Sequence, residues 1–118
     1  MKYENLPIYK DSLDFCVYAE TIVKNFDKYH KYSIGSDLRE FSKDLLFLIH
    51  RANIAQDKKS KIEKLRDRCE DTKMLIHLAK ELKAFKSFKQ FEHSVKLIVP
   101  ICKQSQEILQ VNFLQMFI

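Results

Sequence analysis

Glycine occurs once in the 118 residues, proline twice and tryptophan not at all. A chain so poor in turn formers has little material for hairpins or long loops, which argues against a sheet fold. Lys, Glu, Leu, Ile and Phe are abundant instead, the composition of an all-α chain. No apolar run reaches the ~18 residues of a membrane span, so no membrane partner is expected. The N-terminus, MKYENLPIYKDSLDF, carries acids where a secretory signal needs an apolar core, and export is not expected.

The residues of catalysis and metal binding are also scarce. Cys16, Cys69 and Cys102 are odd in number and far apart, and no CxxC, CxxH or HxxxH spacing occurs. They fall on or beside apolar stripes, as buried reduced thiols do, and that points to a cytoplasmic location. His30, His50, His77 and His93 belong to four different segments, none with a triad partner. The Glu-x-x-His signature of di-iron bundles is missing, and no Gly-rich loop could hold a phosphate. The expectation is a protein with no catalytic residues, no metal site and no cofactor, hence not an enzyme.

What the chain does have is helical periodicity. Ile34, Leu38, Phe41, Leu45, Leu48, Ala52 and Ala55 recur at alternating spacings of four and three, one apolar face of a long helix. Ahead of it a first helix is expected from Pro7, which suits a first helical position, to about Phe26. Its stripe of Leu13, Cys16, Ala19, Val23 and Phe26, widened by Phe15, Val17, Tyr18 and Ile22, is more than one neighbour can cover. DKYHKYS then reads as a polar connection, with Ser33 as N-cap of the central helix. Phe47 and Ile54 align on that helix's polar side, a weak sign of a subunit contact.

After a short AQDKKS turn, a third helix is expected over about Lys61 to Phe85. It carries Ile62, Leu65, Cys69, Thr72, Ile76 and Ala79, with Leu75, Leu78 and Leu82 as a second ridge joining that stripe. A fourth starts near Ser87 and presents Phe88, Phe91, Val95, Ile98, Cys102 and Leu109, with Pro100 expected to kink it or leave a carbonyl without its donor. The closing QVNFLQMFI is apolar enough to need a groove or to self-associate. Short connections make successive helices antiparallel neighbours. The expected fold is all-α, a single domain over residues 1–118: an up-down-up-down antiparallel four-helix bundle.

The net charge is +5, and it is unevenly placed. Residues 58–89 hold 11 Lys/Arg against 5 Asp/Glu, whereas 1–57 hold 8 against 9 and 90–118 hold 2 against 2. Within the basic segment Arg66, Lys73 and Lys80 line one flank of the third helix, and Lys89, Lys96 and Lys103 repeat every seven residues on another helix. Such ridges can contact successive phosphates of RNA or DNA without reading sequence. A solvated lysine-rich surface explains the same residues equally well, so the pattern leaves both readings open. Repetition of the subunit around a ring would multiply a modest ridge into a large basic surface.

Three stretches carry a resemblance to a known family. They are KYSIGSDLREFSKDLLFLIHRAN (Lys31 to Asn53), the turn DKKS, and EKLRDRCEDTKMLIHLAKELKAFKSFKQFEHSVKLI (Glu63 to Ile98). Within them, Tyr32-Ser33-Ile34-Gly35, Asp44 to Leu46, and Leu78 to Lys83 are the most telling pieces, and with the similar opening LPIYKDSLDF they cover about residues 5 to 98. In order and spacing they resemble the bacterial four-helix-bundle family of the accessory variability determinant (Avd) of diversity-generating retroelements. The same family includes the proteins encoded by intervening sequences of 23S ribosomal RNA genes. The resemblance implies a homopentameric barrel of four-helix protomers. For the Avd branch it implies partnership with a reverse transcriptase and nucleic acid in mutagenic reverse transcription. For the intervening-sequence branch it implies a ribosomal or unknown, non-enzymatic role. Members of the family usually continue the last helix with glycines and a Trp before a basic tail, where this chain has CKQSQEILQVNFLQMFI. The candidate nucleic-acid-binding residues are Arg66, Lys73, Lys80, Lys89 and Lys96.

Overall fold

Pro7 opens the first helix, where its missing N–H would have had no partner, and α1 runs over Pro7–Val23. In the computed structural model, which describes residues 6–115 and side chains as far as residue 111, it is followed by the single turn α2 (Lys28–Lys31). The long helices α3 (Ile34–Ile54), α4 (Lys58–Glu81) and α5 (Phe88–Gln115) complete the chain. No strand occurs among the described residues. Most of the apolar tail expected at the C-terminus lies outside the described side chains.

Polar side chains at the connections set the helix boundaries, and they shift several of those expected. The DKYHKYS connection is itself helical: Asp27 caps α2 by accepting from the His30 N–H at 3.0 Å and stands 2.6 Å from His30 Nδ1. Those bonds hold the Asp27 carboxyl below the usual carboxylate range. Ser33 precedes α3 but does not cap it with its side chain, because its hydroxyl turns back to donate to the Tyr29 carbonyl at 2.8 Å. Asp57 starts α4 three residues earlier than the apolar pattern suggests, by accepting from Ser60 N–H at 3.3 Å. Next to it, Lys58 Nζ donates to the Ala52 and Asn53 carbonyls at 3.2 and 2.8 Å, satisfying the end of α3. Pro100 does not end α5, which continues to Gln115. One turn on, Gln104 Nε2 donates to the Pro100 carbonyl at 3.1 Å and to Asp11 Oδ2 at 2.7 Å, tying α5 to α1.

The four long helices pack in a ring: α1 against α3 and α5, and α4 against the same two. They form a rod 51 Å long and 23 by 20 Å across. Phe15, Leu38, Leu45, Ile76, Ile98 and Ile101 fill its axis with almost no exposure. Among them stand small polar residues, Ser12, Ser42, Thr72, Ser94 and Ser105, all fully or nearly fully buried. Four satisfy themselves on their own helix: Ser42 on Arg39 O, Thr72 on Arg68 O, Ser94 on Gln90 O and Ser105 on Cys102 O, at 2.6–2.9 Å. Ion pairs edge the seams, with Arg39 Nε 3.0 Å from Glu20 joining α1 to α3 and Arg68 3.2 Å from Asp44 joining α3 to α4.

The apolar pattern overstates burial in places. Leu78 and Leu82, read as a second core ridge of α4, are 49% and 46% exposed, and with Met74 they form an outward stripe. The bundle core ends at Ala79 on that helix, so residues one position round have nothing to pack on. Leu13 and Val17 of α1, and Phe47 and Ile54 of α3, are exposed as well.

The one glycine is where two connections meet. A Cβ on Gly35 would stand 2.8 Å from the His30 carbonyl and 2.8 Å from Val23 Cγ1. The α2 turn can therefore lie against the start of α3 only because that side chain is missing. We expect Gly35→Ala to lower stability by ~1–3 kcal/mol in urea denaturation, the overpacking outweighing alanine's better helix propensity. Unchanged or raised stability would mean that the α2 turn yields freely.

Candidate nucleic-acid interface

The basic segment is organised by the way α4 stops. Leu82 N–H bonds to Leu78 O at 2.9 Å, Lys83 N–H to Lys80 O and Ala84 N–H to Ala79 O, both at 3.0 Å. That crossed pair of bonds is the Schellman ending, which needs a residue with positive φ just after the cap. Glycine usually fills the position; here it is Lys83, at φ 60. Buried Ala84 then turns the chain inward, and Phe85 packs edge-on against Phe26 at 5.6 Å and Phe91 at 6.0 Å between centroids. The next helix is capped reciprocally: Ser87 Oγ accepts from Gln90 N–H at 3.3 Å, and Gln90 Oε1 accepts from Lys86 N–H at 3.0 Å.

This turn brings Lys80, Lys83 and Lys86 around a surface cleft of about 310 Å³ that Phe88 and Phe91 also line, with no carboxylate in its wall. Lys80 Nζ lies 5.0 Å over the Phe91 ring, a cation–π contact. Phe88, expected in the core stripe of its helix, is instead 63% exposed. Phe85 and Phe91 already close the end of the core against Phe26, and Phe88 covers only part of Phe91, at 5.6 Å.

Of the five basic residues singled out in the sequence, the structure brings two together in a second cleft. Lys89 and Lys96 line about 370 Å³ of space between α1 and α5 with Tyr18, Glu92 and His93. Tyr18 meets His93 edge-on at 4.6 Å and donates to the Gln90 carbonyl at 3.5 Å, and partial burial raises its phenol above the ordinary value. Arg66 and Lys73 stand apart from both clefts, half-buried and engaged by acids of their own helix, Asp67 at 3.1 Å and Glu70 at 3.2 Å. The three-residue ridge on α4 is thus neutralised at two positions and open at Lys80. Sequence reading passed over Lys83, Lys86 and the exposure of Phe88. Their signal was the alternation of lysine and phenylalanine in KAFKSFK, a connection between helices that carries as much charge as their faces.

Elsewhere the reactive side chains are occupied with structure. All three cysteines are buried and free of disulfides. Cys69 faces Cys102 across the α4–α5 seam, and that neighbour together with burial pushes its thiol above the ordinary range. Among the described residues, no three His, Cys, Asp or Glu side chains converge as a metal site, and no helix is long and apolar enough to cross a membrane. Comparison with protein-family models, with curated proteins and with solved structures returns no match.

A left-handed lysine costs about 1 kcal/mol relative to glycine. Lys83→Gly should therefore raise stability by about that amount in thermal or urea unfolding, since the Schellman bonds are all main-chain. A loss of stability would show that the Lys83 side chain makes a compensating contact.

Proposed function

We propose that this chain is an Avd-type accessory protein that binds a reverse transcriptase and nucleic acid to support mutagenic reverse transcription, without catalysis of its own. The observation that carries the nucleic-acid half of the reading is the set of exposed lysines, Lys80, Lys89 and Lys96, that have no carboxylate partner among the described residues. Unpaired ammonium groups on one half of a rigid rod suit a phosphate backbone, and Arg66 and Lys73 would join them by exchanging their intrahelical acids for phosphate. The polymerase half rests on the resemblance in the helical segments described above.

The finer architecture belongs to the same proposal. The bundle is up-down-up-down and antiparallel: residues from the start of α1, the end of α3, the start of α4 and the far part of α5 line one cavity, including Ile8, Ile49, Ile62 and Ile108. Five protomers close a barrel in the cytoplasm, and the exposed apolar residues Leu13, Val17, Phe47 and Ile54 are the material for its subunit contacts. Around such a ring each protomer's few unpaired lysines would be repeated, which gives avidity to contacts that are weak singly.

Light scattering on the full chain should give a mass near five times 14.1 kDa. Structured RNA should bind at about 50 mM salt and be released at about 200 mM. The Arg66→Ala/Lys73→Ala/Lys80→Ala variant should bind more weakly and show a shallower dependence on salt. A monomer that ignores RNA at low salt would remove the proposal and leave the bundle alone.

A further inference from the structure

The cleft at the α4–α5 turn has features that a phosphate-binding ridge does not require. Phosphate contacts need only cations, yet here a phenylalanine ring, Phe88, is held out in solvent amid Lys80, Lys83 and Lys86. Its position is fixed from beneath, because Phe88 leans on Phe91, Phe91 on Phe85, and Phe85 on the buried ring of Phe26. An exposed ring backed by three others that run into the core offers a face for stacking. The strain points the same way. Lys83 occupies a left-handed position that glycine would fill more stably, and the side chain retained there lines the same cleft. A residue held in an unfavourable conformation is a signal of use when the surroundings impose it, as the Schellman bonds do.

We infer that this cleft binds single-stranded nucleic acid, with an unpaired base stacked on Phe88 and the flanking phosphates held by Lys80, Lys83 and Lys86. The inference rests on the nucleic-acid-binding reading above and narrows it to unpaired strands and to one site. A duplex hides its base faces and offers an exposed phenylalanine nothing to stack on, whereas any unpaired base presents a π-face. An acidic peptide would satisfy the lysines but gain little from a ring that a carboxylate avoids. Stacking and phosphate contact together suit RNA and DNA alike, and the ring selects strandedness rather than sugar.

The test is fluorescence anisotropy with labelled oligo(U), oligo(dT) and a blunt duplex of equal length, on the full chain at about 50 mM salt. The single strands should bind more tightly than the duplex. Phe88→Ala should weaken single-strand binding by roughly tenfold while leaving duplex binding unchanged, and Phe88→Tyr should restore most of the loss. Lys83→Gly, which keeps the main-chain bonds that end α4, should weaken both and lower the salt slope by about one. Equal affinity for single and double strands, or Phe88→Ala binding as the parent does, would overturn the cleft assignment while leaving general nucleic-acid binding standing. Failure of every oligonucleotide to bind would instead remove the broader reading. Light scattering on Phe88→Ala closes the remaining route: a drop in mass accompanying lost binding would make Phe88 a subunit contact and overturn the inference.

Discussion

Small polar residues at the middle of each helix's buried face set how closely the four helices can approach. Ser12, Ser42, Thr72, Ser94 and Ser105 lie among Phe15, Leu38, Leu45, Ile76 and Ile98, and most return their hydroxyl to a carbonyl on the same helix. Because that bond is local, no partner across the core is required, and the small side chain leaves room for a large one opposite. The seams are then finished by a few directional contacts: Glu20 with Arg39, Asp44 with Arg68, Asp11 with Gln104. These edge contacts set register more than they add stability, since partly exposed ion pairs contribute little.

The same closeness makes the ends of the bundle demanding. At one turn, the single glycine is the only residue that fits between α2 and the start of α3. At another, α4 terminates through main-chain bonds that force Lys83 into a left-handed conformation, and the chain re-enters through Ala84 and Phe85. The aromatic cluster that seals this end runs out of core before it runs out of phenylalanine, so Phe88 is left at the surface. Structural necessity and surface chemistry meet there. The turn that closes the core also gathers lysines from the end of one helix and from the connection that follows it, beside a phenylalanine at the start of the next.

Helical periodicity carried most of the fold. The α3 stripe predicts a helix whose observed span differs by a single residue at its end, and Pro7 and Ser87 mark helix starts that the structure keeps. Where expectation and structure part, a side-chain bond is the cause. Asp57 and Lys58 begin α4 early, Asp27 converts a connection into a helical turn, and Ser33 bonds backward instead of capping forward. Such competition between nearby donors and acceptors has no period, so a periodic reading cannot detect it. The candidate site was less legible. Lys80, Lys89 and Lys96 are as open as the pattern implies, but Arg66 and Lys73 are engaged by Asp67 and Glu70, one and three residues away.

By itself, the sequence determined that the chain is helical, how many long helices it has and which face of each is buried, because those properties follow from local spacing and from the scarcity of glycine and proline. Only the tertiary structure decided which apolar residues are surplus to the core and which charges converge. Leu78, Leu82 and Phe88 carry the same hydrophobic signal as residues that are buried, and they are exposed because their neighbours had already filled the space. Lys80 lies at the end of α4 and Lys83 and Lys86 in the connection after it, and they surround one cleft because a left-handed turn folds the connection back beside the helix. Burial and convergence are properties of packing, and packing depends on every helix at once.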